Sequence, residues 1–407
     1  MAGHRGTWTA LFVLVFAVAC AGQPEAGPVV IGVAWPEGTQ RGIWDGIGIA
    51  HDEIGRDREI LDGRAIKVEY RDDGSREWKG MEIARDLAQR SDAIAVIGHY
   101  DSSISVPVSA IYQDAGKLML SPGSTNPQLT QQGFDLVFRS IPTDEAIGEA
   151  LARYAARRGY RRMLILAAKN TYGRGLSNIF ERHADRLQIE IVDRRSYPQG
   201  CDAPCFERIL DHWAGLEYEA ILIAGTMPEA ARFVRLLGSL AEDGGMEDVS
   251  ILGGDGLFAS ELWEEGGAAA EGTVVVAPCY LDGSRDEVKG FEQQLAQVCE
   301  AKYGEACDTP SMVWAAQGYD AFKLLVQAME KANSADANVV AQELGTPPDW
   351  VGLCGTYKFD AHGDVDVSVD KKPVVLLQVV KREDSDYRFE HLDPLLSGKS
   401  SPASSLE

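Results

Sequence analysis

Short segments of small and polar residues follow the strand-like apolar runs of this sequence at five places. They are residues 98–103, 121–127, 169–175, 225–229 and 253–256. Small residues let the backbone approach a ligand closely, and hydroxyls and backbone amides can hydrogen-bond a polar solute. Ser102 also precedes a predicted helix, whose N-terminal amides favour an anion. The pattern predicts a binding site for a small polar ligand.

Each of these residues also has a structural explanation when it is taken alone. Ser102 and Thr125 could cap helices, Tyr172 could be a core aromatic, and Asp255 between glycines could form a turn. His99 lies beside the first segment, and a lone histidine is more often structural. The joint occurrence of the segments at strand ends favours binding, because open parallel sheets hold ligands beyond the carboxyl ends of their strands.

No motif of a known catalytic or cofactor site is present. The sequence has no Gly-x-Ser-x-Gly elbow, no P-loop and no His-Glu-x-x-His, and its seven histidines show no ligand spacing. The first strand leads into residues 35–40 instead of a dinucleotide fingerprint. Asp360, Asp364 and Asp366 fail the EF-hand spacing, so we expect a turn before a strand. The protein is predicted to be a non-enzyme without metal or cofactor.

The polar segments lie between strand-like runs and segments with the apolar periodicity of a helix, and these elements must position them. A first series has strands at 29–34, 66–70, 93–97 and 118–120, and a second series begins after Pro142 with strands at 163–166, 189–192, 220–224 and 249–252. This rhythm predicts an α/β fold of two doubly wound, Rossmann-like lobes, each with a parallel sheet. Three hinge crossovers are expected near 142, 273–277 and 352–357.

The length of the chain agrees with two lobes, and its charge restricts the possible partners. The 407 residues exceed a single core. We assign 29–142 plus 278–352 to an N-terminal lobe, 143–277 plus 353–395 to a C-terminal lobe, and 396–407 to a disordered tail. The formal net charge of −23 makes nucleic acids and acidic membranes poor partners.

The first residues have the pattern of an export signal. Arg5 precedes the apolar run 10–19, which as a helix spans only about 15 Å, half of a bilayer core. Small residues lead directly to Cys20, which resembles a lipoprotein lipobox. We therefore expect a signal peptide (1–19), lipidation of Cys20 and a tether (20–28), with a simple secretory signal cut near Ala19 as the alternative. Either places the protein in the periplasm or on the cell surface.

Cysteine usage fits an oxidising compartment. Of seven cysteines, lipidation of Cys20 leaves six, an even number. Short loops favour the bridges Cys201–Cys205 and Cys299–Cys307, and elimination leaves Cys279–Cys354. Fifteen pairings of six cysteines exist, so others stay open. A metal or redox role for the first pair is weaker, because its spacing is wrong and no histidine lies nearby.

The polar segments, in this order and behind an export signal, resemble the type I periplasmic binding proteins over roughly residues 29–380. The nearest branch is that of the leucine/isoleucine/valine-binding proteins of amino-acid ABC transporters. By this resemblance, Ser102 and Thr125 would hold an amino acid's carboxylate. The Gly123 carbonyl, the Thr125 hydroxyl and Asp255 would hold its ammonium, and Tyr172 would close over it.

The remaining ligand contacts implied by the resemblance include departures from the family pattern. Thr226 replaces a tyrosine, Met312 replaces an apolar aromatic, and Asp101 faces 74–75 where a relative has a disulfide. The full predicted set of ligand residues is Trp35, Gln40, Tyr100, Ser102, Gly123, Ser124, Thr125, Tyr172, Thr226, Asp255 and Met312. These departures leave branched-chain specificity open, and an amide, a polyamine-like or a larger ligand stays an alternative.

The resemblance also implies how the protein works. The lobes would close around the ligand about the hinge, and a monomeric, lipid-anchored protein would deliver it to an ABC transporter permease. A ligand sensor with the same fold is the alternative from another class. An enzyme is the least favoured interpretation.

Overall fold

The computed structural model describes residues 27–38, 42–55, 59–61, 64–242, 249–346, 349–366, 374–382 and 386–392. The predicted signal peptide, Cys20, most of the tether, Gln40 and the predicted tail lie outside the described residues. Within the described part of the chain, no helix is both long and apolar enough to cross a membrane.

The first sheet has six strands in the order β2-β3-β1-β4-β5-β6. Its strands are β1 (Val29–Ala34), β2 (Glu59–Leu61), β3 (Arg64–Arg71), β4 (Ala93–Gly98), β5 (Leu118–Ser121) and β6 (Val137–Arg139). All neighbours pair in parallel except β2 with β3. The intervening helices are α1 (Gly42–Ile54), α2 (Glu77–Gln89) and α3 (Ser102–Asp114).

The second sheet has seven strands in the order β15-β14-β11-β10-β9-β7-β8. Five are parallel: β7 (Arg162–Ala168), β8 (Glu190–Tyr197), β9 (Ala220–Ala224), β10 (Ser250–Gly253) and β11 (Val274–Ala277). An antiparallel edge follows, formed by β14 (Val375–Lys381) and β15 (Tyr387–His391). The helices of this half are α4 (Asp144–Arg158), α5 (Thr171–Arg186), α6 (Ala203–Trp213), α7 (Glu229–Glu242) and α8 (Glu261–Glu264).

The chain then returns to the first sheet. Helices α9 (Asp286–Tyr303), α10 (Thr309–Ala332) and α11 (Ala337–Leu344) follow β11, and α10 packs along α1. We call the first sheet with α1–α3 and α9–α11 the N-terminal lobe, and the second sheet with α4–α8 the C-terminal lobe. A small hairpin of β12 (Trp350–Val351) and β13 (Thr356–Tyr357) lies on the way back to β14. The predicted residue boundaries of the lobes stay predictions.

Both sheets are covered on both faces by helices. Every residue of β1, β5 and β9 is buried, which explains why these strands read as continuous apolar runs without alternation. The α/β, doubly wound prediction is therefore confirmed for the parallel core.

Three segments connect the lobes: 140–143, 278–285 and the return through the β12–β13 hairpin. The Cys279–Cys354 disulfide joins the second to the third, with their Cα atoms 5.4 Å apart. The Asp320 carboxylate of α10 accepts hydrogen bonds from the Leu353 and Cys354 amides at 2.7 and 2.8 Å. The third connection is thereby fastened to the N-terminal lobe.

The other two disulfides are local. Cys201–Cys205 closes the loop before α6, and Cys299–Cys307 ties the end of α9 to the loop before α10. The three pairs in the structure are those that short loops and elimination indicate.

Short elements are where the sequence-based assignment is incomplete. The strands β2, β6, β12, β13 and β15 and the helices α8 and α11 were not predicted. Two to eight residues contain too little periodicity to stand out from a loop. The antiparallel β14–β15 edge consequently adds to the purely parallel sheet expected for this lobe.

Candidate functional site

A loop of buried hydroxyls forms the N-terminal lobe's half of the site. This serine–threonine loop (residues 121–127) follows β5 and lies beside the first turn of α3. The Ser124 hydroxyl donates to the Ser102 hydroxyl at 3.0 Å, and the Ser124 amide donates to the Ser121 hydroxyl at 3.0 Å. Ser102, Ser124 and Thr125 are all buried. Hydroxyls at a helix N-terminus form a suitable environment for a carboxylate.

The buried guanidinium of Arg139 holds this loop in place. It donates to the carbonyl oxygens of Ser124 and Asn126 at 3.2 and 2.7 Å. It also pairs with the Asp364 carboxylate, at 2.8 Å from its Nε, and with the Thr130 hydroxyl. Sequence reasoning missed Arg139, because this residue ends β6, a three-residue strand too short to be predicted.

The predicted turn of aspartates has a structural role. Asp360 accepts hydrogen bonds from the His362 and Asp364 amides, which forms a turn, and Asp364 pairs with Arg139. Among the described residues, no group of three or more His, Cys, Asp or Glu side chains could hold a metal ion.

An aromatic cluster lies against the same loop. The ring centroids of Trp35, Tyr100 and Trp314 are 5.2 to 6.0 Å apart. A side-chain carbon on Gly123 would lie 2.4 Å from the Trp35 ring, so only glycine fits there. Trp314 was not predicted. Met312, which was, is half-buried two residues earlier on α10, and residues two apart face different sides of a helix.

Tyr172 and Asp255 form the C-terminal lobe's half of the site. The Tyr172 hydroxyl donates to Asp255 Oδ1 at 2.9 Å and accepts from the Gly256 amide at 3.2 Å. Tyr172 is in the first turn of α5, which Asn170 caps, and Asp255 begins a short 3-10 turn after β10. Burial raises the pKa of Asp255 to about 6, and the Tyr172 hydrogen bond opposes that rise.

The two halves meet across the lobes. The Asn126 side-chain amide donates to the Thr171 carbonyl at 3.1 Å, and the Trp314 indole donates to the Phe258 carbonyl at 3.5 Å. Each bond joins a residue of the N-terminal lobe to one of the C-terminal lobe. The serine–threonine loop and the Tyr172–Asp255 pair therefore face one interlobe region.

Asp144 is a buried acid at this junction that sequence reasoning missed. It is the first residue of α4 and is fully buried. Burial and the nearby Asp255 raise the pKa of Asp144 to about 7, against the lowering effect of Thr125 and Arg139. In the sequence it resembles any acidic residue at a helix start, so no local signal marks it.

A cleft of about 680 Å³ opens between the lobes. Of the predicted ligand residues, Tyr100 and Thr226 line it, and the others in the described part of the chain are buried or, for Met312, half-buried. The buried Tyr197 and five charged side chains also line the cleft, and none of these six residues was predicted to contact the ligand. The charged side chains are those of Arg76, Glu77, Asp101, Lys169 and Glu229.

Two features beside the cleft are structural. His99 is buried between Asp73, at 2.7 Å, and Tyr112, at 3.1 Å, which fits the structural interpretation. The Asp101 carboxylate is hydrogen-bonded to the Ser75 side chain, and burial raises the pKa of Asp101 to about 6. A hydrogen bond thus joins the two segments where a relative is expected to have a disulfide.

Comparisons with known proteins agree on one kind of molecule. A sequence profile of the periplasmic binding protein family matches residues 32–380. A Leu/Ile/Val-binding protein of Rhizobium johnstonii is 28% identical over 327 residues, covering 79% of this chain and 83% of the relative. An ABC transporter substrate-binding protein of Desulfitobacterium hafniense, solved in complex with Leu, is 34% identical with a TM-score of 0.68; the match covers 90% of this chain and 100% of that one. A leucine-binding protein of Thermotoga maritima is 27% identical with a TM-score of 0.74, covering 89% and 97%.

Proposed function

The chain belongs to the periplasmic binding protein family, and on that premise we propose that it captures a free amino acid between its lobes and delivers it to an ABC importer. The family resemblance inferred from the sequence is thereby confirmed. Members of this family are extracytoplasmic solute-binding proteins and not enzymes, as the lack of catalytic motifs predicted.

The meeting of complementary groups from the two lobes carries the proposal. The N-terminal lobe contributes the hydroxyls of Ser102, Ser124 and Thr125 and the first amides of α3, and the C-terminal lobe contributes the Tyr172–Asp255 pair. A zwitterion that leaves water needs charge-assisted hydrogen bonds at both ends, because otherwise desolvation dominates. The carboxylate would bind at Ser102, and the ammonium at Asp255, the Thr125 hydroxyl and the Gly123 carbonyl.

The aromatic cluster supports an amino acid with an apolar side chain. Trp35 and Tyr100 lie beside Gly123, where the side chain of a ligand held by the loop would extend, and Trp314 packs against both rings. The relatives point the same way, since one is named for Leu, Ile and Val and another is a complex with Leu. Thr226 leaves more space in the cleft than the tyrosine expected there.

Ligand capture would occur by closure of the lobes. The N-terminal lobe would bind the carboxylate first, and Tyr172 with Asp255 would complete the site on closing. A ligand drives such a change only through its extra affinity for the closed form. Lipidation at Cys20 would keep the protein at the membrane surface near its permease.

A thermal-shift screen of free amino acids tests the function. A ligand at 100 times its dissociation constant should stabilise the protein by about 2.7 kcal/mol. The matched controls are the 2-hydroxy acid and the amine that share the side chain of the best ligand, because each lacks one charged group. A flat response to every amino acid, or equal stabilisation by the 2-hydroxy acid, would contradict the proposal.

A further inference from the structure

A buried tyrosine of the C-terminal lobe lines the cleft with a hydroxyl that has no partner. Tyr197 ends β8 and is 2% exposed. Its hydroxyl makes no hydrogen bond within the described part of the chain. The nearby Thr226 amide opposes the rise in the pKa of Tyr197 that burial causes, but an amide N–H only donates and leaves the hydroxyl proton without an acceptor. Such a group costs folding free energy unless a further partner binds it.

The position of this hydroxyl is fixed by packing. The centroid of the Tyr197 ring lies 5.3 Å from that of Phe206 in an edge-on arrangement, and the Phe206 ring lies 5.3 Å from that of Phe233. A side-chain carbon on Gly225 would overlap the Tyr197 hydroxyl oxygen. The hydroxyl therefore lies against the backbone that leads from Gly225 to Thr226.

Thr226 connects Tyr197 with the Tyr172–Asp255 pair. A side-chain carbon on Gly256, which follows Asp255, would lie 3.0 Å from Thr226 Cγ2 and 3.2 Å from the Tyr172 ring. Thr226 is half-buried and lines the cleft. A tyrosine at this position, as the family resemblance implies, would fill the space that the smaller threonine leaves. Thr226 thus opens a path from the amino-acid site to Tyr197.

The groups around the Tyr197 hydroxyl favour an uncharged partner. Glu229 lines the cleft, and its carboxylate, which accepts from the Gly200 amide at 2.6 Å, is close enough to Tyr197 to raise the pKa of the phenol. A carboxylate on the ligand would be repelled by Glu229. An ammonium group has no lone pair and could not accept the Tyr197 proton. A neutral group with an acceptor oxygen meets neither obstacle.

We propose that Tyr197 is a specificity-determining residue, whose hydroxyl donates to the uncharged polar end of a long ligand side chain. This inference rests on the proposed amino-acid binding. The side chain would pass along Tyr100, which contacts the Trp35 ring and also lines the cleft, and would end at Tyr197. The cleft of about 680 Å³ has room for it. A carboxamide or a phenol fits this description, whereas an aliphatic side chain leaves the Tyr197 hydroxyl unpaired.

Matched pairs of amino acids test this in the wild type. L-Glutamine and L-norleucine have side chains of similar length, and L-tyrosine and L-phenylalanine differ by one hydroxyl. In at least one pair, calorimetric titration should give binding of the polar member that is tighter by about fivefold or more, because the apolar member leaves a buried hydroxyl unpaired. L-Glutamate and L-lysine should bind more weakly than that polar member. A smaller preference in both pairs, or tighter binding of either charged amino acid, overturns the inference.

Two variants separate this role from a structural one. Tyr197→Phe keeps the packed ring and removes the hydroxyl, so the preference for the polar member should fall below about twofold. The melting temperature of the ligand-free protein should stay the same or rise, because no hydrogen bond is lost. Tyr112→Phe is the matched control, since Tyr112 is also fully buried but its hydroxyl is 3.1 Å from His99 Nε2. It should keep the preference and lower the melting temperature.

Failure of this inference can be distinguished from failure of the proposed function. A preference that survives in Tyr197→Phe, or a wild type that binds apolar amino acids best, overturns the inference and leaves amino-acid binding intact. A wild type that binds no amino acid overturns both. The paired titrations of the wild type decide the inference even when a variant fails to fold.

Discussion

The two halves of the candidate ligand site are built differently. In the N-terminal lobe, Arg139, Ser121 and Ser102 hold the serine–threonine loop by hydrogen bonds within that lobe and to the third connection. In the C-terminal lobe, the site consists of one hydrogen-bonded pair, Tyr172 and Asp255, flanked by glycines. Under the proposed mechanism, the first half would be fixed before a ligand arrives, and the second would be placed by lobe closure. The contrast separates substitutions that damage the scaffold from those that damage binding.

The largest effect is expected from Arg139→Met. This change leaves Asp364 without its cation and frees two loop carbonyls, so the free energy of unfolding should fall by about 3–5 kcal/mol. Urea unfolding measures it. The control is Arg153→Met, since Arg153 pairs with Glu149 at the surface, with 59% and 42% of the two side chains exposed, and should cost less than about 1 kcal/mol. Equal losses in the two variants would show that Arg139 is not the anchor.

Asp255→Ala should weaken ligand binding while leaving the scaffold intact. An ammonium left in a dry site without its carboxylate costs about 2–5 kcal/mol of binding free energy. Tyr172→Phe removes one hydrogen bond to that carboxylate and should cost less, about 1.5 kcal/mol. Calorimetric titration gives both values. If Asp255→Ala binds as tightly as the wild type, the ammonium lies elsewhere.

The buried acids should make the ligand-free protein less stable as pH rises from 5 to 7.5. The pKa values of Asp101, Asp144, Asp255 and Asp320 are raised to between about 6 and about 7. Each such group binds its proton more tightly folded than unfolded, so its stabilisation is lost as pH rises through the folded pKa. Asp144→Asn should reduce this loss by about 2 kcal/mol. Urea unfolding of the wild type and of Asp144→Asn at each pH measures this difference. If the free energies of unfolding of the two proteins change by the same amount with pH, the prediction is wrong.

Gly175→Ala should obstruct lobe closure with a single methyl group. The added carbon would lie 2.2 Å from the Asn126 side chain across the lobes, so we expect about tenfold weaker binding, or 1.4 kcal/mol. Gly290→Ala is the matched control, because Gly290 is also helical but has open space around it. The change from glycine to alanine should raise helix propensity equally in the two variants. X-ray scattering of the ligand-bound protein checks whether the cleft stays wider in Gly175→Ala, and equal affinities in the two variants would contradict the role in closure.

Much of the fold was predictable because the local pattern of apolar and polar residues indicates the strands and helices. The buried strands β1, β4, β5, β7 and β9 read as apolar runs between helix-period segments, and the polar segments at their ends mark the cleft. Short edge strands such as β2 and β15 were missed because their patterns are too brief. At the site, Ser102, Thr125, Tyr172 and Asp255 were selected from the sequence, and their ligand roles stay predictions.

The sequence by itself determined the two parallel cores, the positions of the strand-end segments and the short cysteine loops. Tertiary structure alone decided that Arg139 pairs with Asp364, 225 residues away, that Trp314 joins Trp35 and Tyr100, and that Asp144 comes under the influence of Asp255. The reason is physical. Sequence periodicity indicates which face of a helix or strand is buried, whereas charge compensation and ring packing depend on groups that only folding brings within a few ångströms of each other.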